Sequence, residues 1–298
     1  MNSKIKLIAV GIVLSCASHA AWATTLNFDY LSLMPTGTTG FDAGHTATVN
    51  GITASAYYFD TTSNSWQSAD LYIRNDGVND TGLGVCSPGE VSTTPCNSPS
   101  YTSGGGDSNE LSQELNQEVI VLSKTAGYSW SDLVVSSLDS GGTNGAEQGT
   151  MYWSNDSTAD INTFLNNTIA SSNNAAFSYG TGGAANDQID INGSVLALND
   201  ASSFDPNAQH VVFTSGAGSQ IASGMLGNGG STTTQTCGYT WTKWGKQKTC
   251  TTTTTPALNN DFLVSGAVLN SIPEPGTLAL MGLGLVGLYA GRRRAVNR

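Results

Sequence analysis

Between residues 26 and 269 the chain is built from short apolar-rich runs broken by turn residues. TLNFDYLSL (25–33) opens as a strand. TATVNGITASAYYF (46–59) alternates on both sides of Asn50-Gly51, the dipeptide that best accepts the positive backbone angles of a two-residue hairpin, and so predicts two paired strands. ADLYIRN, EVIVLSK, YSWSDLVVSSL, QGTMYWS, SVLALND, QHVVFTS and DFLVSGAVL continue the pattern. About ten such runs predict an all-β body, an antiparallel β-sandwich of jelly-roll-like kind. One stretch has a different period. In ADINTFLNNTIA, Ile161, Phe164, Leu165 and Ile169 recur at helical spacing behind Asp160, which predicts one short helix.

The two ends break the pattern. MNSKIKLIAVGIVLSCASHAAWAT has a basic start at Lys4 and Lys6, an apolar run from Leu7 to Leu14, and Ala21-Trp22-Ala23 as an A-x-A cleavage site. Residues 1–23 therefore read as a secretory signal peptide, cut by signal peptidase before Thr24; the apolar run is too short for a spanning helix. Val13-Leu14-Ser15-Cys16 offers a lipoprotein box as a competing reading, with Leu14 unusual in it. Residues 272–298 carry Pro273-Glu274-Pro275, an apolar stretch from Leu278 to Ala290, and Arg292, Arg293 and Arg294 as a basic stop. Those thirteen apolar-stretch residues would extend about 20 Å as a helix, short of the roughly 30 Å bilayer core. Gly282, Gly284, Gly287 and Gly291 weaken the helix further, and the arginines hold the C-terminus in the cytoplasm. This predicts transient inner-membrane insertion of a precursor; a permanent single-span anchor is the alternative.

Charge narrows the body's role. From Thr24 to Ile272 there are 21 acidic and five basic residues, a formal balance of −16. Such a surface repels phosphate backbones, so no nucleic-acid partner is expected. Export also changes how cysteine is read. Cys86, Cys96, Cys237 and Cys250 remain after signal removal, and in an oxidising compartment Cys86–Cys96 and Cys237–Cys250 are the simplest of three connectivities. Each closed loop would stabilise by about 3 kcal/mol in the chain-entropy account. The body reads as a single domain, residues 24–271, with residues 227–256 as a Thr-rich, cysteine-clamped insertion. Tyr239, Trp241 and Trp244 in it are either solvated loop residues or flat contacts for sugar rings or a partner.

Enzyme signatures are sparse. His45 and His210 are the histidines left in the body, and no G-x-S-x-G, H-E-x-x-H or P-loop occurs. A triad around His210 remains open because triads assemble in space. The expectation is a protein that is not an enzyme and requires no cofactor. The ligand its loops suit is Ca2+: Asp76 and Asp80 lie in one Gly-containing loop, with Asp107 and Glu110 further on. The competing reading makes these residues turn formers.

Pro273-Glu274-Pro275, the apolar stretch and the arginines, in that order, resemble the PEP-CTERM sorting signal of Gram-negative bacteria, also called an ice-binding protein C-terminal motif. The resemblance implies recognition by a membrane-embedded exosortase during export, in hosts that make exopolysaccharide and biofilm. GLGV (82–85), ELSQELNQEVIVL (110–122) and FLVSGAVL (262–269) are similar to exosortase-dependent surface proteins carrying this tail. The expectation is thus an exported cell-surface or extracellular-matrix protein, adhesive or scaffolding in exopolysaccharide. The alternatives are a secreted glycan-active hydrolase and, from Thr251–Thr255 and the tail's second label, an ice-binding protein.

Overall fold

The computed structural model describes residues 24–75, 81–88, 110–111, 116–138, 147–178, 188–189, 191–192, 195–216, 232–242, 245–255 and 262–272; at 188–192 and 232–255 only the backbone is described. The chain forms two compact units, residues 26–269 and a smaller unit made from the two chain ends.

The strands in order are Thr25–Asn27 (β1), Gly40–Gly44 (β2), Thr46–Val49 (β3), Ile52–Asp60 (β4), Ser65–Asn75 (β5), Thr81–Cys86 (β6), Gln117–Lys124 (β7), Tyr128–Ser136 (β8) and Gln148–Ser154 (β9). After the helix Ile161–Ile169 (α1) come Asn174–Ser178 (β10), Gln188–Ile189 (β11), Ile191–Asn192 (β12), Val195–Leu196 (β13), His210–Ser215 (β14), Thr232–Thr242 (β15), Gly245–Thr255 (β16) and Leu263–Ser271 (β17). The predicted hairpin forms: Val49 pairs with Ile52, and Asn50 and Gly51 have φ of 49° and 78°.

The all-β expectation holds, but the strands form one continuous path, β11-β10-β9-β14-β7-β4-β5-β6-β17-β8-β13-β12, not two separate sheets. β10 and β11 pair parallel, whereas β10–β9, β9–β14, β14–β7, β7–β4, β4–β5 and β5–β6 are antiparallel. β5 joins the two halves. Its first residues, Ser65–Ala69, pair with β4, and from Asp70 onward it pairs with β6. Side chains from both halves meet in one core: Ile52, Ala54, Ile120, Leu122, Val211 and Phe213 face Leu71, Ile73, Leu83, Leu133 and Val264.

β7 shows why EVIVLSK does not alternate cleanly. Ile120 and Leu122 enter the main core, whereas Val119 and Val121 enter a second cluster with Phe164, Leu165 and Ile169 of α1. A strand covered on both faces reads as a continuous apolar run. The helix is the predicted one. Asp160 caps it, accepting from Asn162 N–H at 3.1 Å and Thr163 N–H at 3.3 Å, which satisfies two donors the helix start leaves open. Its polar face is tied down as well: Trp66 Nε1 donates to Asn166 Oδ1 at 3.0 Å, and Trp66 N–H to Asn162 Oδ1 at 2.6 Å.

Candidate functional site

The sorting residues Pro273, Glu274, Pro275, Arg292, Arg293 and Arg294, and the signal-cleavage residues Ala21 and Ala23, lie outside the described residues. Their flanks are described. β17 ends at Ser271, and Ile272 is 42% exposed. Thr24, the first residue after the expected signal cleavage, donates its N–H to Ser271 Oγ at 2.9 Å and accepts from Ser271 N–H at 3.0 Å. Thr25 Oγ1 donates to Asn270 Oδ1 at 3.1 Å. Both expected processing points therefore flank one hydrogen-bonded strand end. No helix among the described residues is long and apolar enough to cross a membrane.

The insertion forms a two-stranded ribbon, β15 with β16, in register from Thr232↔Thr255 to Thr242↔Gly245. Cys237 stands opposite Cys250, Tyr239 opposite Lys248 and Trp241 opposite Lys246, while Trp244 lies outside the described residues. Strand alternation puts these pairs on one face. The other face collects Thr232, Thr234, Thr236, Thr240 and Thr242 with Thr249, Thr251, Thr253 and Thr255. Threonine runs stand on both sides of the cysteine-clamped centre, and the register that sets Cys237 opposite Cys250 aligns them. Elsewhere, Cys86 closes β6 and is disulfide-bonded, while Cys96, its expected partner, is outside the described residues.

Of the four residues proposed for calcium, Asp76, Asp80 and Asp107 lie outside the described residues. Glu110 has other partners. It is 2% exposed, and its Oε1 accepts from Arg74 Nη1 and, at 2.7 Å, from Ser137 Oγ. A carboxylate buried that deeply needs a counter-charge, a constraint loop composition does not reveal. Among the described residues no group of three or more His, Cys, Asp and Glu side chains could hold a metal ion.

Sequence reasoning left His210 without partners; strand pairing supplies them. β14 sets it directly between Ser123 of β7 and Ser154 of β9. Ser123 Oγ lies 2.7 Å from His210 Nδ1, and the Phe164 ring meets the imidazole edge-on at 5.2 Å. Burial lowers the His210 pKa, nearby Lys124 lowers it further, and Asp156 opposes both. Burial likewise lowers the pKa of Lys124, against the pull of Asp205. No carboxylate among the described residues hydrogen-bonds the imidazole. Beyond Ser154 the surface opens into a polar cavity of about 350 Å3 between the end of β9, the C-terminal turn of α1 and the loop before β14.

Residues 271–294 match the family model of the PEP-CTERM protein-sorting motif. The chain carries a PEP-CTERM sorting signal. No curated protein and no solved structure matches the chain. The PEP-CTERM motif implies exosortase processing and export to the cell surface of a Gram-negative bacterium. Its match begins at Ser271, the residue bonded to Thr24, so the motif starts where the described strand order ends.

Proposed function

We propose that the protein is a non-enzymatic surface or matrix component, delivered by its PEP-CTERM signal and acting by adhesion or scaffolding within extracellular polysaccharide. The observation that carries this reading is the sorting-motif match on a β-rich, acidic body. Signal peptidase releases the N-terminus after Ala23, and the exosortase, after brief membrane insertion of the tail, acts at Pro273-Glu274-Pro275. Cys86–Cys96 and Cys237–Cys250 are disulfides that form on export, the second stapling the ribbon whose Tyr239, Trp241 and Trp244 make contacts. Asp76, Asp80 and Asp107 take Ca2+ from the medium, with Glu110 engaged by Arg74 instead.

Two measurements test the reading together. Mass spectrometry of the exported form finds no peptide beyond about Glu274; an intact Arg292–Arg298 end would overturn the processing step. The exported protein co-sediments with the producing cell's polysaccharide, and failure to do so would overturn the matrix role.

One observation favours a second reading. The aligned threonines of β15 and β16 form a T-x-T array on two strands, which supports ice binding more than the Thr251–Thr255 run alone did. Thermal hysteresis by the purified protein decides it. For the glycan-active hydrolase there is the Ser123–His210 pair, which no carboxylate among the described residues joins by a hydrogen bond.

A further inference from the structure

We propose that the β15–β16 ribbon of one molecule docks on the acidic body of a second copy of this chain, joining copies head to tail. The proposal rests on the reading above of the ribbon as a contact element, and it names the partner. Charge is sharply segregated along the sequence. From Pro206 to Asn260 there is no acidic residue, and the segment carries Lys243, Lys246 and Lys248. The rest of the body, residues 24–205 and 261–272, holds all 21 acidic residues and only Arg74 and Lys124 as lysine or arginine. Both are buried: Arg74 is 6% exposed and bonded to Glu110, and Lys124 is 5% exposed. That part of the surface therefore offers carboxylates with no exposed lysine or arginine among them. The ribbon brings lysines with no carboxylate beside them in sequence.

Register places the cations next to aromatic residues. Tyr239 is the cross-strand neighbour of Lys248, and Trp241 that of Lys246, all four at positions of one ribbon face beyond Cys237 and Cys250. Tyrosine and tryptophan are the residues that most often carry docking energy, and charges opposite to the partner's fix orientation and reject wrong partners. Among the described residues β15 and β16 pair with each other and with no other strand. A lone two-stranded hairpin is marginal in water, so a partner surface supplies what the ribbon lacks.

Whole copies repel, since each carries a formal −16 over residues 24–272. Ribbon length offsets this. The strand steps from Thr255 back to Lys248 cover about 24 Å, about three screening lengths at physiological salt. Charges that far apart hardly feel each other, so Lys246 and Lys248 meet a neighbouring acidic surface as a local positive patch. Two ribbon faces cannot meet without setting like charges together, whereas ribbon on body joins opposite ones. That contact is heterologous: every docked copy still has a free ribbon or a free body, and the chain of copies stays open. Open chains are what a scaffold requires. An external polyanion is the competing occupant; the second copy is favoured because this chain supplies both complementary surfaces in equal number.

The test follows the exported protein by sedimentation velocity and light scattering at physiological salt. Wild type assembles reversibly as its concentration rises. Lys246→Glu combined with Lys248→Glu weakens assembly at least about tenfold, because each cation becomes a repelling carboxylate. Lys246→Arg combined with Lys248→Arg keeps the charge and keeps assembly. Both variants retain the main melting transition, since β15 and β16 lie outside the main sheet, which separates lost docking from lost folding. The charge-reversed copy still has an acidic body, so it binds wild-type ribbons and caps the chains, and mixed samples hold shorter assemblies. Four results would each overturn the proposal: a wild type that stays monomeric, assembly that survives charge reversal, absence of mixed complexes, or saturable binding of polygalacturonate by a protein that does not self-associate. Co-sedimentation with polysaccharide, run in parallel, tells the two levels apart. A monomeric wild type that co-sediments leaves the matrix reading standing and the docking wrong; one that assembles but does not co-sediment does the reverse.

Discussion

Thr24 and Ser271 hold each other through two hydrogen bonds, one from each backbone N–H, at 2.9 Å and 3.0 Å. These residues stand 247 positions apart in sequence, beside the two expected processing points. Trimming both targeting segments leaves this strand end complete. A chain of residues 24–272 is therefore expected to melt within about 1 °C of the same body carrying its tail. Removing Asn270–Ile272 as well deletes these two bonds and that of Thr25, and lowers stability by about 1.5–4.5 kcal/mol at about 0.5–1.5 kcal/mol per bond. Paired thermal melts of the two truncations check this.

The buried Arg74–Glu110 pair makes a second prediction. Glu110→Gln removes the carboxylate that answers the buried Arg74 guanidinium and costs about 3–5 kcal/mol. Arg74→Met combined with Glu110→Leu removes both charges and recovers much of that loss. Urea unfolding of the three proteins distinguishes a structural pair from a calcium ligand, since for a structural pair the penalty is the same with calcium or with chelator.

His210 predicts a pH effect of definite sign. Burial lowers its pKa below the ordinary value of 6.5, so as pH falls the unfolded chain takes up the proton first. The stability associated with neutral His210 is full above about pH 6.5 and declines as pH falls toward the lowered native value. The stability difference between wild type and His210→Gln should shrink from pH 7.5 to pH 5. A difference that stays flat or grows on acidification would contradict this account.

Gly149 admits no side chain. A Cβ there would lie 2.3 Å from Cζ of Phe177 and 2.8 Å from Cε1 of Phe262, two rings packed edge-to-face at 5.2 Å with no exposed surface. Gly149→Ala must displace that pair and is expected to cost about 1–3 kcal/mol, read as a lower denaturation midpoint. Gly127→Ala is a useful contrast. Its Cβ would meet nothing within 4 Å, although its φ of 86° adds backbone strain of about 1 kcal/mol.

Much of the fold was readable locally. The Asn50-Gly51 turn, the Asp160-capped helix and the strand runs all rest on near-neighbour rules of backbone angle, capping and alternation. EVIVLSK was readable as a strand but not as one covered twice, because the covering helix lies about forty residues further along the chain.

The candidate sites divide along the same line. The PEP-CTERM signal was fully legible, since a peptide read by an enzyme in a membrane must carry its information in consecutive residues. Glu110 looked like a loop ligand because its partner, Arg74, is 36 positions away. The two threonine runs became one array only through the register that sets Cys237 opposite Cys250.

The sequence by itself therefore determined the route of export, the β-rich class, the helix and its cap, because short-range sterics and contiguous recognition encode them. Tertiary structure alone decided which halves of the sheet share a core at β5, which charge Glu110 answers, and that Asn155, Thr168, Asn173 and Asp205 surround one cavity. Those relationships depend on strand pairing across long stretches of chain. They form only when burial of apolar surface makes the whole arrangement close together, and no local pattern records them.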